Sequence, residues 1–163
     1  MTGAGRIDRA RLLGDLETLA RFGGEPDGGV TREAFSTPCR EAEDWLATRM
    51  SEAGLSVRVD GAGNVIGRTA GEGPAIAIGS HIDSVPNGGR YDGAYGVLAG
   101  LECVRALKGG PTPIEVIAFA EKEGRFFDLL GSRAMTGLID RAALAGRADR
   151  KGERLDAALI AAG

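Results

Sequence analysis

The residues of this chain that could do chemistry lie in two short stretches. The first stretch, GSHIDSVPNGGRYDG at 79–93, contains His81, the only histidine of the chain, together with Asp83 and Asp92. The second stretch is EKEG at 121–124. An imidazole with two or three carboxylates is a nitrogen and oxygen ligand set that suits zinc, manganese, cobalt or nickel better than calcium. The two stretches therefore predict a divalent metal site.

The spacing of these residues also indicates what each could do. A carboxylate between two other ligands can bridge two metal ions about 3.5–4 Å apart, and such dinuclear sites activate water for hydrolysis. Asp83 lies two residues after His81, so it can hold the imidazole in one tautomer. In the alternative interpretation, His81 is a surface or core residue and the carboxylates are solvated loop ends. Residue types and spacing alone leave both interpretations open.

A predicted strand–helix–strand unit positions the two stretches. The apolar run at 75–78 predicts a short buried strand, a helix is expected over about 93–108, and the apolar run at 114–120 predicts a second strand. Such crossovers are right-handed, so the two strands are expected to be parallel and to end at the same edge of the sheet. This topology brings together the side chains of His81, Asp92 and Glu123 at that edge.

The rest of the chain predicts elements that flank this unit. Apolar residues at helical spacing predict a helix over about 8–22. Ser36 or Thr37 can cap a second helix that ends near Gly54. The remaining predicted elements are a hairpin of strands at 56–60 and 64–68 and helices within 129–163.

The composition is that of a soluble globular protein with one domain. The chain has 163 residues, of which 43% are hydrophobic and 26% are charged. A net charge of −3 gives no basic surface for nucleic acid. No apolar run approaches the ~20 residues of a membrane span, and no signal-peptide core is evident at the start. Two distant cysteines, Cys39 and Cys103, do not form a disulfide framework, so we expect a cytoplasmic protein.

Several longer segments resemble a known enzyme family. GSHIDSVPNGGRYDGAYGVLAGLECVRAL, IEVIAFAEKEG and LLGSRAMTG are similar to the metallopeptidase-related amidohydrolases, in the branch of allantoate amidohydrolases and N-carbamoyl-L-amino-acid hydrolases. The segments GGVTREAFS, EAEDWLATRMSEAGL and VDGAGNVIGR fit the same branch. The resemblance implies a three-layer α/β sandwich with a mostly parallel sheet. It also implies hydrolysis of a carbamoyl or ureido C–N bond in a small molecule.

The resemblance assigns roles to individual residues. It implies a dinuclear zinc or manganese site in which His81 binds one ion, Asp92 bridges the ions and Glu123 binds the second ion. Asp83 would be the acid that orients His81. These implied roles agree with the cluster that the strand topology predicts.

The chain departs from the family pattern at the position of the general base. The family has two adjacent glutamates before a glycine, and the first takes a proton from the attacking water; this chain has Lys122 there. A lysine with an ordinary pKa of ~10.4 is protonated at neutral pH and cannot accept that proton. Glu121 is expected to project away from the site, because adjacent strand residues point to opposite faces. The segment Gly124–Phe127 also differs from the usual Gly-Ser-Arg-Phe, which could change where Glu123 points. We therefore expect an impaired site.

The second departure is length. Family members are much longer, carry a lid domain and take further histidine ligands from later sequence, whereas His81 is the only histidine of this chain. We therefore expect residues 1–163 to be the N-terminal part of the metal-binding catalytic domain, without the lid. A second chain could supply the missing part, and the alternative is a non-catalytic remnant that binds a partner chain and at most a weak metal.

Two further interpretations concern other residues. A nucleotide-binding domain is disfavoured, because the glycines at 61–63 lead into a strand and not into a helix. Arg32, Arg90 and Tyr91 lie in predicted loops, where such side chains are more often solvated than in contact with a substrate. An incomplete sheet would also leave an exposed edge, so we expect the chain to self-associate.

Overall fold

Residues 5–162 are described by a computed structural model. The predicted domain ends, residues 1–4 and Gly163, lie outside the described residues. The described part of the chain forms helices and strands in the following order: α1 (Arg9–Leu19), α2 (Thr37–Glu52), β1 (Ser56–Val59), β2 (Val65–Arg68), β3 (Ile76–Ser80), α3 (Ala94–Leu107), β4 (Ile114–Ala118), α4 (Leu130–Met135), α5 (Arg141–Leu144) and α6 (Leu155–Ala162).

The first two helices begin at residues whose side chains accept hydrogen bonds from backbone N–H groups of the first turn. The carboxylate of Asp8 accepts the Arg11 N–H at the start of α1, at 3.0 Å. Ser36 caps α2 in the same way, and Pro38 stands in the first turn, where its missing N–H costs nothing. Gly54 follows α2 with φ +86°, a left-handed conformation that suits glycine. These boundaries agree with those predicted from the sequence.

The sheet is mixed, with the strand order β1-β2-β4-β3. Strands β3 and β4 are parallel, which confirms the predicted strand–helix–strand unit around α3. The pairs β1–β2 and β2–β4 are antiparallel. The prediction of a mostly parallel sheet is therefore wrong for this chain. The physical reason is that the β1–β2 hairpin joins the sheet through β2, which runs opposite to β4.

Strand β3 is not the buried strand that its apolar sequence predicts. Its residues are largely exposed, and the Ile76 side chain is 56% exposed. Among the described residues β3 pairs only with β4, so it forms an edge of the sheet. The strand also continues to Ser80, beyond the predicted break at Gly79.

The main core lies between the helices α1, α2 and α3 and one face of the sheet. Leu16, Leu46 and Leu101, one from each helix, pack in one cluster with Val65 and Val116 from the sheet. The next residues of these two strands, Ile66 and Ile117, point to the opposite face and are also buried. Burial of each large apolar side chain stabilises the fold by about 1.5–3 kcal/mol.

A second apolar cluster fixes the C-terminal helices. Phe126 packs with Phe35, Leu130 from α4 and Leu155 from α6. This cluster ties the segment after β4 to the loop before α2. Within residues 5–162, none of the helices has the length and apolar character that crossing a bilayer requires.

Candidate metal centre

Three potential ligand residues meet at one edge of the sheet. One ligand atom from each of His81, Asp92 and Glu123 lies within 4.8 Å of the other two. His81 follows directly after β3, Asp92 precedes α3 by two residues, and Glu123 follows β4. The structure therefore brings together the three residues that the sequence predicted as ligands. His81 is buried, Glu123 is half-buried and Asp92 is exposed, so the cluster is open on one side.

The surroundings of His81 fix which ring nitrogen is free. Nδ1 lies 3.0 Å from the backbone carbonyl oxygen of Asp83. A carbonyl oxygen only accepts hydrogen bonds, so Nδ1 must carry a proton and donate it. In the neutral ring the lone pair is then on Nε2. This nitrogen faces Oε1 of Glu123 at 3.7 Å, and two such acceptors are held together best by a cation or a proton between them.

The backbone at Gly93 lies against the imidazole ring. A Cβ atom at this position would lie 2.3 Å from Nε2 of His81, and Gly93 has φ +66°. Both observations require glycine. The close approach holds the ring between the end of β3 and the start of α3.

Asp83 connects two of the candidate ligands. Its Oδ1 lies 3.4 Å from Nδ1 of His81, and its Oδ2 accepts the backbone N–H of Glu123 at 2.9 Å. The side chain is buried, and its Oδ1 has no hydrogen-bond partner among the described residues. Burial lowers the pKa of His81, but the nearby carboxylate of Asp83 and the hydrogen bond to its backbone carbonyl oxygen outweigh burial and raise it. The sequence predicted the contact with His81 but not the contact with Glu123.

The side chain of Lys122 contacts the cluster. Its Nζ donates to Oε1 of Glu123 at 2.7 Å, and the lysine side chain is 40% exposed. This hydrogen bond, together with the charges of Glu123, Asp92 and Asp83, raises the pKa of Lys122 above its ordinary value. The amine is therefore an ammonium at neutral pH and has no lone pair with which to accept a proton.

Glu121 lies outside the cluster, as expected, but not because of strand alternation, since β4 ends at Ala118 and Glu121 belongs to the loop that follows. Its Oε1 accepts the backbone N–H groups of Phe126 and Phe127, the latter at 2.9 Å. Glu121 has φ +56° and is fully buried, and burial raises its pKa to about 6. This carboxylate closes the loop after β4 and so cannot take over the role of a base at Lys122.

Arg32 is a residue near the site whose position the sequence did not indicate. It was expected to be solvated, but it is only 2% exposed. Its guanidinium donates to the carbonyl oxygen of Ile82 at 2.6 Å and to those of Leu19 and Phe22 at 2.8 and 2.9 Å. Arg32 therefore ties the end of α1 to the loop that carries His81 and Asp83.

By contrast, Arg90 and Tyr91 are exposed, as expected.

A cavity opens beside the cluster. It has a volume of about 220 Å³, and Asp83 and Glu123 form part of its wall. Arg125, Asp149 and Lys151 also line this cavity. Ligand pockets for larger molecules usually span about 300–1,000 Å³, so this cavity suits a small molecule.

The donor set fits one divalent ion. A free imidazole nitrogen and two carboxylates are ligands that zinc and manganese accept, with solvent at the open side. The same residues do not fit two ions. Within residues 5–162 the cluster has only these three ligands, and the ammonium of Lys122 contacts one of them.

Comparison with known proteins identifies the family. Residues 64–145, which include all the candidate ligands, match peptidase family M28. The chain is 47% identical to the N-carbamoyl-L-amino acid amidohydrolase of Geobacillus stearothermophilus, over 96% of this chain and 40% of that enzyme. It is 40% identical to the allantoate amidohydrolase of Bacillus subtilis, over 91% of this chain and 38% of that enzyme.

A solved structure gives the same result. An amidase of the hydantoinase/carbamoylase family from Burkholderia phymatum superimposes with a TM-score of 0.92 and 42% identity, over 98% of this chain and 40% of that one. The chain thus spans about 40% of the length of the relatives it matches. The resemblance to metallopeptidase-related amidohydrolases is confirmed, and the chain belongs to peptidase family M28.

Proposed function

We propose that this chain is the N-terminal part of the metal-binding catalytic domain of a hydrolase that cleaves carbamoyl or ureido C–N bonds in linear small molecules. In this proposal the complete domain is a three-layer sandwich, and a lid and further ligands come from polypeptide outside residues 1–163. The relatives named as N-carbamoyl-L-amino acid and allantoate amidohydrolases support this class of substrate.

The observation that carries the proposal is the convergence of His81, Asp92 and Glu123 within 4.8 Å. These residues would hold a zinc or manganese ion, and Asp92, at the open side, would be the residue able to bridge to a second ion. A bound divalent ion supplies Lewis-acid polarisation of the substrate carbonyl group. Asp83 keeps His81 in the tautomer whose Nε2 is free and fixes the backbone of Glu123.

Lys122 determines how active the site is in this proposal. The residue at this position would have to remove a proton from the attacking water, and an ammonium cannot do so. Loss of a general base typically costs ~10²–10⁴-fold in rate. The chain is therefore an impaired hydrolase as it stands.

A chimeric enzyme tests this proposal. Residues 1–163 replace the matching part of the Geobacillus stearothermophilus relative, and ammonia release from an N-carbamoyl-L-amino acid is measured with zinc or manganese. We expect the Lys122→Glu chimera to be at least ~10²-fold faster than the chimera with the unchanged segment. Adding His81→Asn to the faster chimera should abolish the gain.

The second candidate function is a non-catalytic chain that binds a partner chain and at most a weak metal. The contact between Lys122 and Glu123 favours this second function. A cation stands at the position of the proton-accepting residue, and it contacts a candidate metal ligand. If Lys122→Glu gives no gain in a chimera that folds and binds metal, this second function is supported and the hydrolase proposal fails.

A further inference from the structure

Lys122 occupies an unusual electrostatic position for a lysine. Its ammonium contacts Glu123 at 2.7 Å and also interacts with the charges of Asp92 and Asp83. One positive charge therefore already lies beside the cluster and interacts with three carboxylates. A divalent ion in the same place would be attracted by the same carboxylates and repelled by the ammonium.

The ammonium and a metal ion would use the same oxygen atom. Oε1 of Glu123 accepts the hydrogen bond from Lys122, and the same Oε1 faces Nε2 of His81 at 3.7 Å. An ion bound between Nε2 and Oε1 would have to displace the lysine hydrogen bond. Metal ligands must give up competing hydrogen-bond and proton partners before they bind.

The lysine is able to leave this position. The side chain of Lys122 is 40% exposed, whereas that of Glu123 is 18% exposed. The backbone N–H of Glu123 also donates a hydrogen bond to Asp83. Displacement therefore moves Lys122 into solvent and leaves the ligand geometry in place.

We infer that Lys122 acts as a tethered cation, which competes with a divalent ion for the carboxylate of Glu123 and lowers the affinity of this centre for metal. This inference rests on the metal site of the proposed function but not on its hydrolytic activity. It concerns a regulatory property of the site: metal occupancy is set by a contact that one side-chain rotation can open.

Calorimetric titration of the purified chain with Zn²⁺ and with Mn²⁺ tests the inference. Lys122→Met removes the charge and keeps the length of the side chain, and we expect it to bind metal about tenfold more tightly than the unchanged chain. Lys122→Arg keeps the charge and should stay within about twofold of the unchanged chain. Lys151→Met is the matched control, because Lys151 lines the neighbouring cavity but pairs with Glu33 at 3.1 Å.

The outcomes separate this inference from the proposed function. If His81→Asn abolishes binding but Lys122→Met binds no more tightly than the unchanged chain, the metal site stands and the tethered cation is disproved. If none of these proteins binds metal, the proposed metal site and this inference both fail. An equal gain from Lys151→Met would show a general charge effect and would also overturn the inference.

Discussion

At the scale of single residues, Gly93 leaves no room for a side chain beside a candidate metal ligand. The Gly93 backbone lies so close to His81 that an added Cβ would be 2.3–2.5 Å from three atoms of the imidazole. No real side-chain carbon tolerates such distances, so the ring must move if a side chain is added. The affinity of the cluster for metal should therefore depend on this glycine.

We predict that Gly93→Ala weakens Zn²⁺ binding about tenfold or more, because the displaced imidazole no longer presents Nε2 towards Glu123. The measurement is a calorimetric titration at neutral pH. Gly73→Ala is the matched control, since Gly73 also has positive φ, +82°, but a Cβ there would meet nothing within 4 Å. In both variants, an alanine at positive φ destabilises the fold by ~1 kcal/mol. The variants differ only in the contact of the new side chain with His81. Equal metal affinity in both variants would contradict this role of Gly93.

The candidate ligands could be predicted from the sequence, but their supporting contacts could not. His81, Asp92 and Glu123 follow from two strand ends and one helix start, and a parallel crossover places these ends together. The buried position of Arg32 does not follow from any local pattern, because its acceptors lie 10, 13 and 50 residues away. Such contacts appear only once the chain has folded.

At the scale of elements, Arg32 joins parts of the chain that are distant in sequence. Its guanidinium bridges the end of α1 to Ile82, the residue between His81 and Asp83. Its backbone N–H donates to Oγ of Ser84, and its carbonyl oxygen accepts the Ser84 N–H, both at 2.9 Å. The loop that carries the candidate ligand is therefore held from two sides by one residue.

We predict that Arg32→Met lowers the free energy of unfolding by about 3 kcal/mol or more, because buried carbonyl groups lose their donor. The measurement is urea denaturation followed by circular dichroism. Arg40→Met is the control, since Arg40 is partly exposed and its guanidinium donates to one carbonyl oxygen, that of Phe35. We expect the control to cost about 1 kcal/mol. Similar losses in the two variants would show that Arg32 has no special role.

The pairing of elements was only partly predictable. The apolar run at 75–78 correctly predicts a strand, but an apolar sequence does not show whether the strand lies in the centre of a sheet or at its edge. The hairpin of β1 and β2 was also predicted, whereas its antiparallel attachment to β4 was not. That attachment depends on which strand the hairpin meets after collapse, and local sequence does not encode it.

At the scale of the whole molecule, β3 forms one of the two outer edges of the sheet among the described residues. Ile76 on this strand is 56% exposed, and Leu107 at the end of α3 is 54% exposed. Both residues line one groove together with Val104 and Ile114. An open strand edge beside apolar side chains can pair with the same edge of a second copy.

We predict that the purified chain self-associates through this edge and that Ile76→Lys reduces the association, because a charge on an edge strand opposes pairing. The measurement is sedimentation velocity over a range of protein concentrations. Ile160→Lys is the control, since Ile160 is 83% exposed but lies on α6, outside the sheet. A chain that stays monomeric at every concentration would contradict the prediction. An equal effect of Ile160→Lys would instead place the association elsewhere, since both changes add one charge and remove one exposed isoleucine. Only the loss specific to Ile76 identifies the edge of β3 as the contact.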